Sequence, residues 1–120
     1  MRPIQWFRKV NGMPVLLMRE WDWSKDEEKR EKRLKFQTEV MGPYFEKLVK
    51  EKGIKVETSN WSDNTGHKVI LRKYETMEDF SKAWDDERWQ QIWARYVYFI
   101  DNVRIRLLRP GFTVPEDFWK

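Results

Sequence analysis

Apolar and polar residues alternate along the first clearly patterned segment of the chain, Met13 to Trp23. Val15 and Leu17 share one phase of the alternation, and Leu16 and Met18 begin the other. A period of two predicts a β-strand, and two apolar phases predict that the first half of the strand is covered on both faces. Which phase faces the core is left open by this pattern.

A long amphipathic helix is predicted between Ser24 and Gly53. Ser24 and Glu27 form a capping box, and glycine is common just after the last helical residue. Gly42–Pro43 lies inside the helix and predicts a kink or a break, because proline removes one hydrogen bond and clashes with the preceding turn. The apolar stripe expected to face the core, spaced by three and four residues, is Leu34, Thr38, Met41, Phe45 and Leu48.

Two further strands are predicted on either side of a turn at Ser62–Gly66. The first is Ile54–Trp61 and the second is His67–Glu75. In the second of these strands we expect Val69 and Leu71 to face the helices. The opposite phase, expected to face away from the helices, is Ile70, Arg72 and Tyr74.

A second helix is predicted after Thr76, which forms a capping pair with Asp79. The acidic run Asp85–Glu87 divides its apolar stripe in two, and Asp101–Asn102 ends it. A fourth strand then covers Val103–Leu108. The phase of this strand expected to face the helices is Val103, Ile105 and Leu107.

The resulting order, β-α-β-β-α-β, predicts an α+β fold of the ferredoxin-like type. Its antiparallel four-stranded sheet has both helices on one face. Residues 1–120 are assigned to a single domain, with an N-terminal arm at 1–12 and a C-terminal tail at 111–120.

Composition limits the chemistry. The chain has no cysteine and one histidine, which excludes disulfides, thiolate sites and metal sites built from several imidazoles. The longest apolar run, 13–18, is far shorter than the roughly 20 residues of a membrane-spanning helix. We therefore expect a cytoplasmic protein with no cofactor and no metal. The net charge of +4 comes from interleaved charges, which favours a solvated surface over one anion-binding patch.

The sheet face without helices is predicted to be too apolar to stay in water. Two copies can bury it by closing their sheets face to face into a barrel, which predicts a homodimer. The barrel interior would then be partly polar and would suit a small organic ligand. The side chains predicted to line it are Glu57, Trp61, Arg72, Tyr74, Arg104 and Arg106.

Segments of the second half of the chain resemble a known superfamily. Tyr74–Phe80, followed by Ala83–Trp84, Asp86 and Trp89, resembles the strand–helix signature of the dimeric α/β-barrel superfamily, in its NIPSNAP-like and antibiotic-monooxygenase-like branches. Arg106–Phe112 is similar to a NIPSNAP strand and its Pro-Phe tail. The resemblance covers about residues 13–112 in element order, and it implies a ferredoxin-like homodimer.

The same resemblance argues against haem. Haem-degrading members carry an Asn on the first strand, a Trp at the end of the third and a His on the second helix. Tyr74 and Trp93 stand at the last two of these positions, and the first strand has no Asn. We therefore expect neither a haem nor a catalytic metal.

Two residues are candidates for catalysis, and three arginines are candidates for binding an anion. His67 is a candidate general base, with an ordinary surface histidine as the favoured alternative. Tyr74 is a candidate hydrogen-bond donor to a substrate oxygen, with a buried structural tyrosine as the alternative. Arg72, Arg104 and Arg106 are candidates for clamping a carboxylate or phosphate, unless carboxylates such as Glu57 pair with them.

Three classes of function stay open from the sequence. The first is a cofactor-independent enzyme, such as an oxygenase, isomerase or cyclase, acting on an anionic or aromatic ligand. The second is a dimeric barrel with a structural or stress-type role and no chemistry. The third is a nucleic-acid or protein-interaction module, which is disfavoured because the open face has too few aromatic residues on its central strands.

Overall fold

The computed structural model describes residues 14–109, so the predicted arm and tail lie outside the described residues. It contains an antiparallel sheet of four strands in the spatial order β2-β3-β1-β4. The strands are β1 (Val15–Trp23), β2 (Val56–Ser62), β3 (His67–Tyr74) and β4 (Ile100–Leu108). The predicted element order and the ferredoxin-like α+β fold are confirmed.

The helices pack on one face of this sheet. They are α1 (Glu27–Phe36), a π-helical segment (Gln37–Met41), α2 (Gly42–Lys52), α3 (Met77–Trp84), α4 (Glu87–Tyr96) and a 3₁₀ turn (Val97–Phe99). Among the helices of residues 14–109, none is both long and apolar enough to cross a membrane.

β1 turns its odd-numbered side chains toward the helices. Leu17 and Arg19 are buried, and they lie opposite Arg72 and Ile70 of β3 in the sheet register. Side chains of directly paired residues point to the same face, so Ile70, Arg72 and Tyr74 also face the helices. The predicted orientation of β3 is therefore wrong. Both of its phases are apolar, so alternation alone did not distinguish them.

The predicted orientation of the fourth strand is confirmed. Ile105 pairs with Arg19 and Leu107 pairs with Leu17, which places both β4 residues on the helix side. The strand begins earlier than expected, at Ile100, because α4 ends at Tyr96 and the chain passes through a single 3₁₀ turn. An irregularity in the β1–β4 register falls between Glu20 and Asp22.

The first helix contains a π-helical turn just before Gly42–Pro43, where a kink or break was predicted. Pro43 has no N–H to donate within the helix, and the N–H of Gly42 bonds to the carbonyl of Gln37, five residues back. This extra residue rotates the two halves of the helix relative to each other. A continuous apolar stripe is therefore impossible, and Leu34 is 54% exposed while Arg33 is buried.

Helix ends follow their capping residues. The Oγ of Thr76 accepts from the N–H of Asp79 at 3.1 Å, as predicted, and Gly53 ends α2 with a φ of 61°. Asp26, rather than the predicted Ser24, caps α1 by accepting from the N–H of Glu28. The Ser24 hydroxyl instead accepts from the N–H of Asp26, so it organises the approach to the helix.

Asp86, at the break between α3 and α4, joins two helices. Its Oδ2 accepts the N-capping bond from the N–H of Trp89 at 2.9 Å and a bond from the Tyr44 hydroxyl at 2.6 Å. Lys52 lies 3.5 Å from its Oδ1. The predicted break at Asp85–Glu87 is confirmed, and the Asp86 carboxylate within it connects α2 to α4.

We expect Asp86→Ala to lower the free energy of unfolding by about 2–3 kcal/mol, because it removes a helix cap and a buried side-chain hydrogen bond. Urea unfolding followed by circular dichroism measures the change. Asp85→Ala, at the exposed neighbouring position, is the matched control and should change the value by less than about 0.5 kcal/mol. Equal losses in the two variants would contradict this role of Asp86.

Candidate functional site

A cavity of about 350 Å³ lies between the helix layer and strands β2 and β3. We call it the main cavity. The π-helical segment and α2 form its roof, β2 and β3 form its floor, and aromatic rings of β1 and α4 close its end. Its lining residues are Trp21, Gln37, Met41, Gly42, Phe45, Glu46, Val49, Val56, Thr58, Asn60, Lys68, Ile70, Arg72, Trp89, Trp93 and Tyr96.

Arg72 contributes a buried positive charge to the floor of the main cavity. The residue is 8% exposed, and its guanidinium carbon lies 4.2 Å from the ring centre of Phe45 and 5.4 Å from that of Trp89. Its Nε and Nη1 have no hydrogen-bond partner among the described residues. Burial lowers its pKa to about 10, so the side chain is still charged at neutral pH.

Every buried, unpartnered side-chain nitrogen or oxygen in residues 14–109 is a hydrogen-bond donor. Among the residues that line the main cavity, these atoms are the Nε and Nη1 of Arg72 and the indole nitrogens of Trp21 and Trp93. A buried donor without a partner costs free energy. The cavity therefore favours a ligand that supplies oxygen acceptors.

On the cavity roof, the side-chain amide oxygen of Gln37 already accepts two hydrogen bonds. The Oε1 of Gln37 accepts from the Tyr96 hydroxyl at 3.0 Å and from Nη1 of Arg33 at 2.8 Å. The π-helical turn begins at Gln37, which places the amide against α4. This network orders the roof and leaves the cavity with an excess of donors.

Lys68 adds a second cation to the lining. It is half-buried on β3, and its pKa is lowered by burial and then by the charge of Arg33. Glu46 is the one acidic residue of the lining, and it is exposed on α2. The main cavity therefore has a net positive charge, which favours anions.

Tyr74 lies on the floor of the core rather than in the main cavity. It is 1% exposed and packs edge-on against Phe80 with ring centres 5.6 Å apart. Burial raises the pKa of its hydroxyl, and the charges of Arg72 and Arg19 oppose that shift. Its predicted position on the face without helices is wrong, because Tyr74 is buried on the helix side.

The residues predicted to line one barrel interior lie on two opposite faces of the sheet. Glu57 and Trp61 pair with Lys73 and Val69 on the face without helices, and Arg104 pairs there with Glu20. Arg106 shares this face through its pairing with Met18. A single site combining them with Arg72 and Tyr74 is therefore not formed. We call this helix-free surface the open face.

His67 lies at one end of the open face between two carboxylates. Its Nδ1 is 2.8 Å from Oδ1 of Asp22, and its Nε2 is 3.6 Å from Oε2 of Glu20. The other oxygen of Asp22 accepts from the side-chain amide of Asn102 at 2.9 Å. Asn102 has a φ of 54°, and it lies within the register irregularity between β1 and β4. The cluster ties three strands together at this end of the sheet.

Within the described range 14–109, no three His, Cys, Asp or Glu side chains lie close enough together to hold a metal ion. His67 instead forms two ion pairs, because its ring nitrogens face the carboxylates of Asp22 and Glu20. The geometry is that of charge pairing.

Two features of the helix side were missed from the sequence. Arg19, in the apolar phase between Leu17 and Trp21, is buried, and Gln37 forms part of the cavity roof. The signal for Arg19 was present, because a strand that carries a charge between buried apolar neighbours of the same phase must place that charge in the core. Nothing in the sequence alone indicated Gln37, since its orientation depends on the π-helical turn.

The surroundings of His67 predict its titration. The hydrogen bond to Asp22 raises the pKa of His67 above its usual 6.5, with further contributions from the charges of Asp22 and Glu20. Protonation therefore stabilises the fold at low pH, and this contribution is lost as the pH rises through the pKa in the folded protein. Because His67 is the only histidine, its Cε1–H NMR signal can be followed directly.

We expect the NMR titration to give a pKa above 6.5 in the unaltered protein, and a lower value in Asp22→Asn. Asp26→Asn, on the helix side of the molecule, is the control and should leave the titration unchanged. An equal pKa in the unaltered protein and in Asp22→Asn would show that the ion pair is not formed in solution.

Comparison with known proteins gives no matching family model and no matching curated relative. Solved structures do match. A dimeric ferredoxin-like protein from an uncultured marine organism has a TM-score of 0.61 at 12% identity, over 92% of this chain and 98% of that one. A NIPSNAP family protein from Agrobacterium tumefaciens has a TM-score of 0.55 at 17% identity, over 82% and 87%.

A monooxygenase from Streptomyces coelicolor, solved in complex with nanaomycin D, is also similar, with a TM-score of 0.60 at 12% identity. The match covers 87% of this chain and 94% of that one. At such low identity these similarities establish the fold and not the activity. The chain has the ferredoxin-like fold shared by dimeric ferredoxin-like, NIPSNAP and antibiotic-biosynthesis monooxygenase-like proteins.

Proposed function

We propose that this protein is a homodimer that binds a small, flat organic anion in the main cavity of each subunit. The observation that carries this proposal is the set of buried donors without acceptors, on Arg72, Trp21 and Trp93. A carboxylate or a conjugated enolate supplies acceptors and a negative charge together. It would bring partners to groups that are otherwise buried at a cost in free energy.

The shape and the walls of the main cavity favour an aromatic ligand. Its volume of about 350 Å³ is at the lower end of the range for small-molecule sites. Phe45, Trp89 and Trp93 supply flat apolar surfaces, and aromatic rings pack against such surfaces in stacked or edge-on geometries. A ligand with one aromatic ring or two fused rings and one acidic group fits both the cavity volume and the unpartnered donors.

Arg72 is the anchor for the acidic group in this proposal. Its guanidinium packs over the rings of Phe45 and Trp89, and this packing holds the group in place before a ligand arrives. A guanidinium binds a carboxylate through two parallel hydrogen bonds. Lys68, at the more exposed side of the floor, adds long-range attraction for the same charge.

The open face supports the homodimer. Leu16 and Met18 of β1 and Val69 and Leu71 of β3 are neighbours on it, and no element of residues 14–109 packs over them. Trp61 is 62% exposed on the edge strand of the same face. Adjacent apolar side chains on a flat sheet favour burial against a second copy, related by a twofold axis.

Some proteins with this fold are described as monooxygenases or as cofactor-independent oxygenases. The two catalytic candidates of this chain do not line the main cavity, because Tyr74 lies beneath it and His67 lies on the open face. The proposal therefore assigns binding to the cavity and gives neither residue a catalytic role. Incubating the protein with a bound aromatic anion and air, followed by product analysis, tests for oxygenase chemistry.

Arg72→Met tests the anchor. We expect it to weaken binding of 2-naphthoate by about tenfold or more, because a hydrogen bond to a charged group contributes about 1.5–3 kcal/mol. Binding of the uncharged 2-naphthamide should change by less than about threefold. Because Trp21 lines the main cavity, the shift of its indole N–H signal in NMR measures the binding of both ligands there.

The same variant separates a binding role from a structural one. Methionine replaces a buried unpaired charge with an apolar chain of similar length, so the free energy of unfolding should stay the same or rise. Arg104→Met, on the open face, is the control and should leave the affinity unchanged. Equal losses for the acid and the amide, or no loss for either, would contradict the proposal.

Leu71→Glu tests the dimer. We expect light scattering at micromolar concentration to give about twice 14.9 kDa for the unaltered protein and 14.9 kDa for the variant, because the charge would be buried against the partner. Leu34→Glu, an exposed position on α1, is the control and should stay dimeric. A monomer before substitution, or an intact dimer after Leu71→Glu, would contradict the sheet-to-sheet arrangement.

A further inference from the structure

A second cavity lies on the helix side of the sheet, between α4 and β4. We call it the side cavity. Its volume is about 280 Å³, and it is bounded by β1, α3, α4 and β4. Its lining includes Arg19, Trp84, Trp89, Trp93, Val97 and Ile105. Trp89 and Trp93 also line the main cavity, so their two indoles stand between the two spaces.

Arg19 gives the side cavity a buried charge of its own. The residue is 5% exposed, and its guanidinium carbon lies 3.9 Å from the ring centre of Trp93 and 5.6 Å from that of Trp84. These rings attract the positive charge through their faces. Its Nε and Nη1 have no hydrogen-bond partner among the described residues.

The charge on Arg19 persists despite its burial. Burial and, to a smaller extent, the neighbouring charge of Arg72 lower the pKa of Arg19 to about 9, and Tyr74 opposes the shift. The side chain is therefore still protonated at neutral pH. Arg19 and Arg72 lie diagonally across the β1–β3 pair, and within residues 14–109 no carboxylate makes an ion pair with either of them.

The rest of the side cavity is apolar and open to one side. Val97 is 41% exposed and Ile105 is 50% exposed, so a hydrophobic rim surrounds the entry to the buried guanidinium. The other polar side chain of the lining, Gln90, already donates to the main-chain carbonyl of Trp84 at 2.8 Å. An occupant must therefore combine an apolar body with one acceptor group of negative charge.

We propose that the side cavity is a second binding site, for a small aromatic or short-chain monocarboxylate, with Arg19 as its charged anchor and Trp84 and Trp93 as its walls. The carboxylate supplies acceptors to the guanidinium of Arg19, which lines the cavity, and neutralises its buried charge. The apolar body covers the exposed Val97 and Ile105. The site stands on its own residues and does not depend on the function proposed for the main cavity.

The two cavities contain different tryptophans, which makes the test specific. Trp84 lines the side cavity and not the main one, whereas Trp21 lines the main cavity and not the side one. Their indole N–H signals, assigned with Trp84→Phe and Trp21→Phe, report the two sites separately in the full chain. The probe is 2-naphthoate, with uncharged 2-naphthamide as the matched ligand.

We expect 2-naphthoate to shift the Trp84 indole signal of the unaltered protein and of Arg72→Met, with a similar dissociation constant. Arg19→Met should weaken this response by about tenfold or more and leave the response of Trp21 within about threefold. Naphthamide should bind the side cavity at least about tenfold more weakly than naphthoate before substitution, and the difference should vanish in Arg19→Met.

A second variant tests the site even if Arg19→Met fails to fold. Ala94→Phe places a ring at an exposed position of the side-cavity lining and leaves Arg19 unchanged. It should abolish the Trp84 response while the Trp21 response persists. The proposal is overturned if naphthoate leaves the Trp84 signal of the full chain unmoved, if acid and amide bind alike, or if Arg72→Met removes both responses together.

Discussion

The packing of aromatic rings between β1 and α4 is the contact on which the rest of the structure depends. Trp21 of β1 meets Trp93 and Tyr96 of α4 edge-on, with ring centres 5.9 and 5.6 Å apart. Trp89 extends this column to Phe45 of α2, 4.8 Å away. Because the rings are large and rigid, they fix the distance between the helices and the sheet along the line of this column. Space remains on both sides of that line, and it forms the two cavities.

The column also explains how two arginines can be buried without ion-pair partners. A guanidinium transferred from water into a protein interior loses several kcal/mol of hydration, and a carboxylate is its usual compensation. Here the faces of Trp93 and Phe45 provide part of that compensation for Arg19 and Arg72. The rings supply no oxygen acceptor, so Nε and Nη1 of both arginines have no hydrogen-bond partner among the described residues.

The ferredoxin-like order could be predicted from the sequence because its signals are local. Thr76 with Asp79 and the terminal Gly53 mark helix ends by their own hydrogen bonds and backbone geometry. The orientation of β3 could not be predicted in the same way. Ile70 and Tyr74 on one phase compete with Val69 and Leu71 on the other, so both phases of β3 are apolar. A strand with two apolar phases removes the contrast on which alternation depends.

The candidate site followed the same ambiguity. Arg72 was expected to bind an anion, but on the opposite face and together with Arg104 and Arg106. The missing information lies in β1, whose Leu17 pairs with Arg72. Both phases of β1 are apolar up to Met18, but the later residues divide into buried Arg19 and Trp21 on one phase and half-exposed Glu20 on the other. Pairing of whole strands, rather than any single strand, determines which arginines are buried.

Pro43 has no backbone N–H, and this absence affects which hydrogen-bond acceptors are available in the main cavity. Pro43 cannot donate to the preceding turn, the chain inserts a π-helical residue before it, and Gln37 turns toward α4. Its amide oxygen is then taken by Tyr96 and Arg33. Had this oxygen remained free, the roof would have offered an acceptor opposite the donors of Arg72 and the indoles, and a neutral amide would have fitted as well as an acid. Since it is occupied, the unpartnered buried groups that line the main cavity are all donors, and the ligand must bring the acceptors.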